Sequence, residues 1–170
     1  AIARYKLARA GLEGVPVHEL PLGARFEVGP FGVEYIGMTH SIPEPNALLI
    51  TTPAGAVFHT GDWKLDDGPV IGERYDVTRL RLLRREPVLA MVCDSTNAVV
   101  AGSTGSEAGL FAPIQEIVDA AAGRVVVTSF ASNVARLVTL ARVAEATGRR
   151  FGVIGQAMER MVAVARATGY

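Results

Sequence analysis

Hydrophobic and polar positions alternate in short runs along the first third of the chain. That period of two predicts strands over residues 15–20, 25–28, 31–38, 46–52 and 56–60, set apart by Pro21, Gly23, Gly29-Pro30, Pro43, Pro45 and Pro53-Ala54-Gly55. Strands this short and closely spaced predict an antiparallel layer. Residues 76–86 then place Val77, Leu80 and Leu83 on one side and Arg79, Arg81, Arg84 and Arg85 largely elsewhere. This predicts an amphipathic helix capped by Asp76 and ended by Pro87.

Beyond Pro87 the period changes. An all-apolar strand over 88–93 leads through a Gly/Ser/Thr loop at 102–106 into a helix over 107–122. A strand over 125–128, a helix over 134–147, a strand over 151–154 and a helix over 158–168 follow. Alternating strands and helices with continuously apolar strands predict a parallel sheet covered on both faces. The expected class is therefore α/β with an α+β first half. A domain change near residues 98–106 would divide the chain into 1–100 and 101–170.

Composition narrows the choice of function. A chain of 170 residues, 49% hydrophobic, is long enough to bury a core. Its seventeen basic and seventeen acidic residues cancel, so no global positive field draws it to nucleic acid and any such contact must be local. The single cysteine, Cys93, excludes an internal disulfide; its apolar surroundings predict a buried thiol in a reducing, cytoplasmic compartment. No apolar stretch is long enough to span a bilayer, and Ala1-Ile2-Ala3-Arg4-Tyr5-Lys6 lacks the parts of a secretory signal, so no membrane partner is expected. A start without methionine and an end directly after a helical pattern suggest a piece of a longer protein.

Candidate chemistry gathers just past the predicted strand ends, where a rigid backbone fixes polar groups beside a crevice. Four segments qualify: Thr39-His40-Ser41, Thr60-Gly61-Asp62, Asp94-Ser95-Thr96-Asn97 and Ser129-Phe130-Ala131-Ser132-Asn133. A lone histidine in a turn is usually structural, and a carboxylate after glycine is common in ordinary turns. Together, however, His40 and Asp62 supply an imidazole and a carboxylate, the donor types expected for zinc, and the carboxylate is able to bridge two ions. Asp94 is read either as a turn cap or as a carboxylate that orients a neighbouring imidazole. Ser129 to Asn133 join an apolar strand to a helix, so their hydroxyls and N–H groups suit a phosphate, with Phe130 as a stacking surface; the plainer reading is that Ser132 or Asn133 caps the helix. Neither GxGxxG nor GxxxxGK is present, which counts against dinucleotide and Walker-type sites. His18 and His59 read as structural, and the Arg79–Arg85 cluster as a solvated helix face, with attraction to RNA as the lesser alternative.

The strings Thr39-His40-Ser41-Ile42-Pro43-Glu44, His59-Thr60-Gly61-Asp62-Trp63-Lys64, Cys93-Asp94-Ser95-Thr96-Asn97-Ala98 and Ser129-Phe130-Ala131-Ser132-Asn133 resemble, in order and spacing, consecutive signatures of the ribonuclease J family. The resemblance runs through the whole chain. It implies a metallo-β-lactamase αββα core interrupted by a β-CASP domain, and a zinc-dependent enzyme that degrades RNA as a 5′-to-3′ exonuclease and endonuclease. It further implies that His40 is a metal ligand, that Asp62 bridges two zinc ions, and that Asp94 is the acidic residue of the first β-CASP motif. Phe130, Ala131 and Ser132 would contact the phosphate and base of single-stranded RNA entered from its 5′ end. The complete protein would be a homo-oligomer.

The chain also departs from the family pattern. It has no HxHxDH motif and lacks the later β-CASP histidine motifs, while Trp63 replaces the usual phenylalanine and Glu44 the usual aspartate. Two ligands do not enclose a zinc pair when about three or four are needed per ion. The piece alone is therefore expected to hold little or no metal and to show negligible nuclease activity. Two other readings remain: a hydrolase of the same fold acting on DNA or a small ester, and a non-catalytic binding or scaffolding module.

Overall fold

The computed structural model of the chain describes residues 2–170; Ala1, the first residue of the stretch read for a secretory signal, lies outside them. In chain order the elements are α1 (Ile2–Arg9), β1 (Arg25–Val28), β2 (Phe31–Gly37), β3 (Asn46–Thr52), β4 (Gly55–His59), α2 (Val77–Leu82), β5 (Val88–Val92), α3 (Phe111–Ala120), α4 (Val134–Ala146) and α5 (Gln156–Ala167). Short 3-10 turns extend α2 at Leu83–Arg85 and precede α3 at Glu107–Leu110. The protein is a mixed α/β structure.

One sheet has the order β1-β2-β3-β4-β5. Its first four strands form an antiparallel meander, as the alternation and close Pro/Gly spacing dictate. Tight turns set the register: Val28 pairs with Phe31 across Gly29-Pro30, and Thr52 with Gly55 across Pro53-Ala54. β5 joins β4 in parallel after the crossover through α2.

Alternate residues on and just past three strands form the core: Ile36, Met38, Ala47, Leu49, Ala56 and Phe58, covered by Trp63, Leu80, Leu83 and Val88. Each fully buried large side chain contributes roughly 1.5–3 kcal/mol. Asp76 caps α2 by accepting the Arg79 N–H at 2.8 Å. Arg79 then lies over the sheet, its Nε and Nη2 each 2.7 Å from a Glu34 oxygen and its Nη1 3.1 Å from Glu86. A second apolar cluster forms where α4, which buries Val134, Ala135, Leu137 and Val143, meets α3 with its buried Val118. Arg149 fastens the end of α3 by donating to the carbonyls of Ala121 and Gly123.

Three expectations require correction, and one element was not expected. Residues 15–20 form no strand: Pro16 lacks a donor, and Val15 and Leu20 are exposed. Residues 125–128 and 151–154 also lie outside any ladder, so the expected second parallel sheet is not formed among the described residues. Val126 is 80% and Ile154 93% exposed; an apolar segment becomes a strand only beside a partner that takes up its backbone groups. The apolar run at 88–93 does form β5, but at the sheet margin with β4 as its one neighbour, so Leu89 and Met91 are exposed and Cys93 is half-buried rather than buried. Finally, α1 was not foreseen. Its Ala, Arg, Lys and Leu favour helix intrinsically, but it buries no residue and so carries no clear apolar stripe.

Candidate functional site

β2, β4 and β5 run in the same direction, because each is antiparallel to β3 or parallel to β4. Their C-terminal ends therefore share one edge of the sheet. The segments leaving that edge are the turn at His40, the loop at Asp62 and the loop at Asp94. Three of the four candidate segments are brought together by topology alone.

Two buried threonines stitch these segments together. The Thr60 N–H donates to Val92 O at 2.9 Å, continuing the β4–β5 ladder, and its hydroxyl accepts the Asp94 N–H at 3.1 Å. The Trp63 indole N–H donates to Asp94 O at 3.0 Å. Thr39 forms an isolated bridge with Lys64, whose N–H donates to Thr39 O at 2.8 Å; the Thr39 hydroxyl donates to Lys64 O and accepts the Asp66 N–H. Thr39 and Thr60 are 2% and 4% exposed. Between these ties the chain turns at Gly61, whose φ is +60° and whose added Cβ would meet Asn46 O at 3.3 Å. Glycine there permits a turn that delivers Asp62 to the surface.

His40 is half-buried, with its Nδ1 3.1 Å from Ser41 Oγ, a contact that restricts the orientation of the ring. The Asp94 carboxyl is held below the ordinary carboxylate range by the hydroxyl and then the N–H of Thr96, with the nearby His40 adding to the effect. Asp94 is thus a turn cap, accepting from both the hydroxyl and the N–H of Thr96. Imidazole and carboxylate are suitable zinc donors, but among the described residues no three His, Cys, Asp or Glu side chains converge as a metal site. Within these residues the donor set fits zinc in type and falls short in number.

The fourth segment reaches the same edge through α4. The Ala135 N–H in the first turn of α4 donates to Ser41 O at 3.1 Å, which joins the loop before α4 to the His40 turn. Within that loop Asn133 is the helix cap, its side chain accepting the Arg136 N–H at 2.9 Å. Ser132 is exposed, Ala131 half-buried, and the Ser129 hydroxyl donates to Phe130 O at 3.4 Å. Phe130 is 84% exposed, an unusual setting for an aromatic ring in this chain.

Sequence reasoning missed the groups that hold these segments in place. Asp66, Glu107 and Arg136 were not singled out, although Asp66 two residues before Gly68 is a common turn signal. Thr39, Thr60 and Trp63 appeared only as members of motifs. A buried hydroxyl bonding a backbone twenty or more residues away leaves no local signature.

Residues 122–170 match the family described as ribonuclease J, beta-CASP domain. The chain is 47% identical over 155 residues to a ribonuclease J of Sinorhizobium meliloti, covering 91% of this chain and 28% of that protein. It is 37% identical over 171 residues to ribonuclease J 1 of Streptococcus pyogenes, covering 100% and 30%. With a ribonuclease J of Thermus thermophilus it shares 34% identity over 172 residues, covering 99% and 30%. In structure it resembles a crystallised protein of unknown function from Enterococcus faecalis, with a TM-score of 0.60 and 17% identity over 89% of this chain and 36% of that one, a likeness of fold alone. The chain spans less than a third of the length of the curated relatives it matches. Over most of its length the chain is thus similar to ribonuclease J proteins, and residues 122–170 match the β-CASP domain of that family.

Proposed function

We propose that this chain is the part of a zinc-dependent, RNA-degrading hydrolase that supplies one imidazole, one carboxylate and a phosphate-gripping loop to the catalytic centre. Residues 1–100 would belong to a metallo-β-lactamase core and 101–170 to the β-CASP domain. His40 and Asp62 would each donate to a two-zinc centre whose remaining ligands lie elsewhere in the parent protein. Bound zinc supplies hydroxide near neutral pH and offsets charge on the phosphoryl oxygens.

The chain's own residues have separate tasks. Asp94 would orient an imidazole or stabilise its protonated form. Ser129, Ser132 and the N–H groups of Phe130, Ala131 and Ser132 would hold a phosphate, while Phe130 would stack on a base of single-stranded RNA entered from its 5′ end. Positioning of this kind accelerates cleavage by holding the scissile bond in place. The parent would act in the cytoplasm as a homo-oligomer; among the described residues no helix is long and apolar enough to cross a membrane.

The observation that supports this reading is the convergence of four separate segments on one sheet edge, tied through Thr39, Thr60, Trp63 and Ala135. The direct test incubates the 170-residue chain with zinc and 5′-labelled RNA. Negligible hydrolysis is expected, because the donor set is incomplete. In the full-length parent, Asp62→Asn and His40→Ala should each abolish cleavage of 5′-monophosphorylated RNA. Robust zinc-dependent turnover by the chain alone would overturn the incomplete-site reading. Equal cleavage of DNA by the parent would overturn the RNA assignment.

A further inference from the structure

Asp66 is 6% exposed and lies beyond the proposed ligands. Its Oδ1 accepts the Gly68 N–H at 2.9 Å, and its Oδ2 accepts the Glu107 N–H at 3.2 Å across the boundary between the two halves. Lys64 reinforces the junction, with Nζ 3.4 Å from Asp66 Oδ2 and a further donation to Gly105 O. Ser106 adds a hydrogen bond from its hydroxyl to Gly68 O at 3.0 Å. The Glu107 carboxylate then grips the Arg136 guanidinium in a two-point pair, Oε1 to Nε at 2.6 Å and Oε2 to Nη2 at 3.2 Å.

These contacts close a ring. Thr39 binds the Asp66 N–H; Asp66 binds Glu107; Glu107 binds Arg136 in the first turn of α4; and Ala135, in that same turn, binds Ser41 O. His40 lies between the two ends of the ring, at Thr39 and Ser41. The loop at 129–133 enters α4 at the turn the ring immobilises. A two-point Arg–carboxylate pair fixes orientation as well as distance, and the low exposure of Asp66 makes its hydrogen bonds costly to lose.

We propose that Asp66, Glu107 and Arg136 are positioning residues that hold the 129–133 loop in register with the His40 turn, and thereby set where a substrate phosphate lies relative to the catalytic edge. This inference rests on the reading of that loop as a phosphate contact. In this role Asp66 and the Glu107–Arg136 pair act through the loop and not on the substrate itself.

The test uses the 170-residue chain with Asp66→Asn, Glu107→Gln and the exchanged pair Glu107→Arg with Arg136→Glu. Hydrogen exchange at the Ala135 amide reports the ring directly; the amides of Ile36, Leu49 and Val57 in the sheet report the fold. A short 5′-phosphorylated oligoribonucleotide, titrated while the amides at 130–133 are followed, reports the loop. Asp66→Asn and Glu107→Gln should each reduce Ala135 protection by about tenfold with the sheet amides unchanged. Oligonucleotide affinity should fall about five- to tenfold in parallel, and the exchanged pair should recover most of both losses. Unchanged Ala135 exchange, or loss of protection shared with the sheet, would overturn the positioning role. If the unaltered chain fails to bind the oligonucleotide, the phosphate reading falls, and Ala135 exchange still decides whether the ring fixes the loop.

Discussion

Phe130 presents a large aromatic ring to water beside the capped start of α4. Its burial energy is not being used by the fold, so Phe130→Ala should leave the urea midpoint of the chain unchanged. RNA affinity should nevertheless fall by about 1–3 kcal/mol, the value of one base–aromatic stack. Asn133 presents the opposite case. Its side chain satisfies the Arg136 N–H, so Asn133→Ala should cost about 1 kcal/mol of stability in a urea titration. The places of His40, Asp62 and Asp94 just past strand ends were legible in the sequence because each follows an apolar or alternating run closed by turn residues. Asp66, Glu107 and Arg136 were not, since charged residues are common and nothing local shows that Glu107 and Arg136 meet across 29 positions.

Among the elements, α2 shows how an ordinary helix is anchored to a sheet. Leu80 and Leu83 cover the core, while Arg79 reaches Glu34 on β2 through two 2.7 Å contacts, at side-chain exposures of 13% and 12%. Replacing Arg79 by Met would leave the Glu34 charge, which is little exposed, with only the exposed Arg25, 2.9 Å away, as a partner. A loss of about 3 kcal/mol is expected in equilibrium unfolding, with the double variant Arg79→Met, Glu34→Leu recovering much of it. The meander β1–β4, the Asp76 cap and helices α3 to α5 were readable from period and capping, because those signals act within a few residues. The segments at 125–128 and 151–154 carry equally apolar sequences, yet a strand also requires a neighbouring backbone, which no local pattern supplies. The parallel placement of β5 came likewise from the crossover through α2 and not from its own residues.

At the scale of the whole molecule, acid should loosen both the packing of α2 on the sheet and the tie from Asp66 to Glu107. The Arg79 hydrogen bonds lower the Glu34 pKa from its ordinary 4.5, outweighing burial. For Asp66, burial pushes upward, but hydrogen bonds from Ser106, Gly68 and Glu107 and the Lys64 charge bring it below the ordinary 3.8. Groups depressed in the folded state contribute stability that is complete above their ordinary values and lost as pH falls through the folded ones. The urea midpoint should therefore be flat from neutrality to about pH 5 and decline below it, with Glu34→Gln lowering the neutral value and flattening the acid limb. The marginal strand β5 has a further consequence for handling the chain in solution. With Leu89 68% and Met91 62% exposed and one side of its backbone unpaired, it is a template on which other molecules can stack. Turbidity on concentrating the chain should rise from this strand first, and a single lysine introduced by Met91→Lys should suppress it while leaving the far-ultraviolet circular dichroism unchanged.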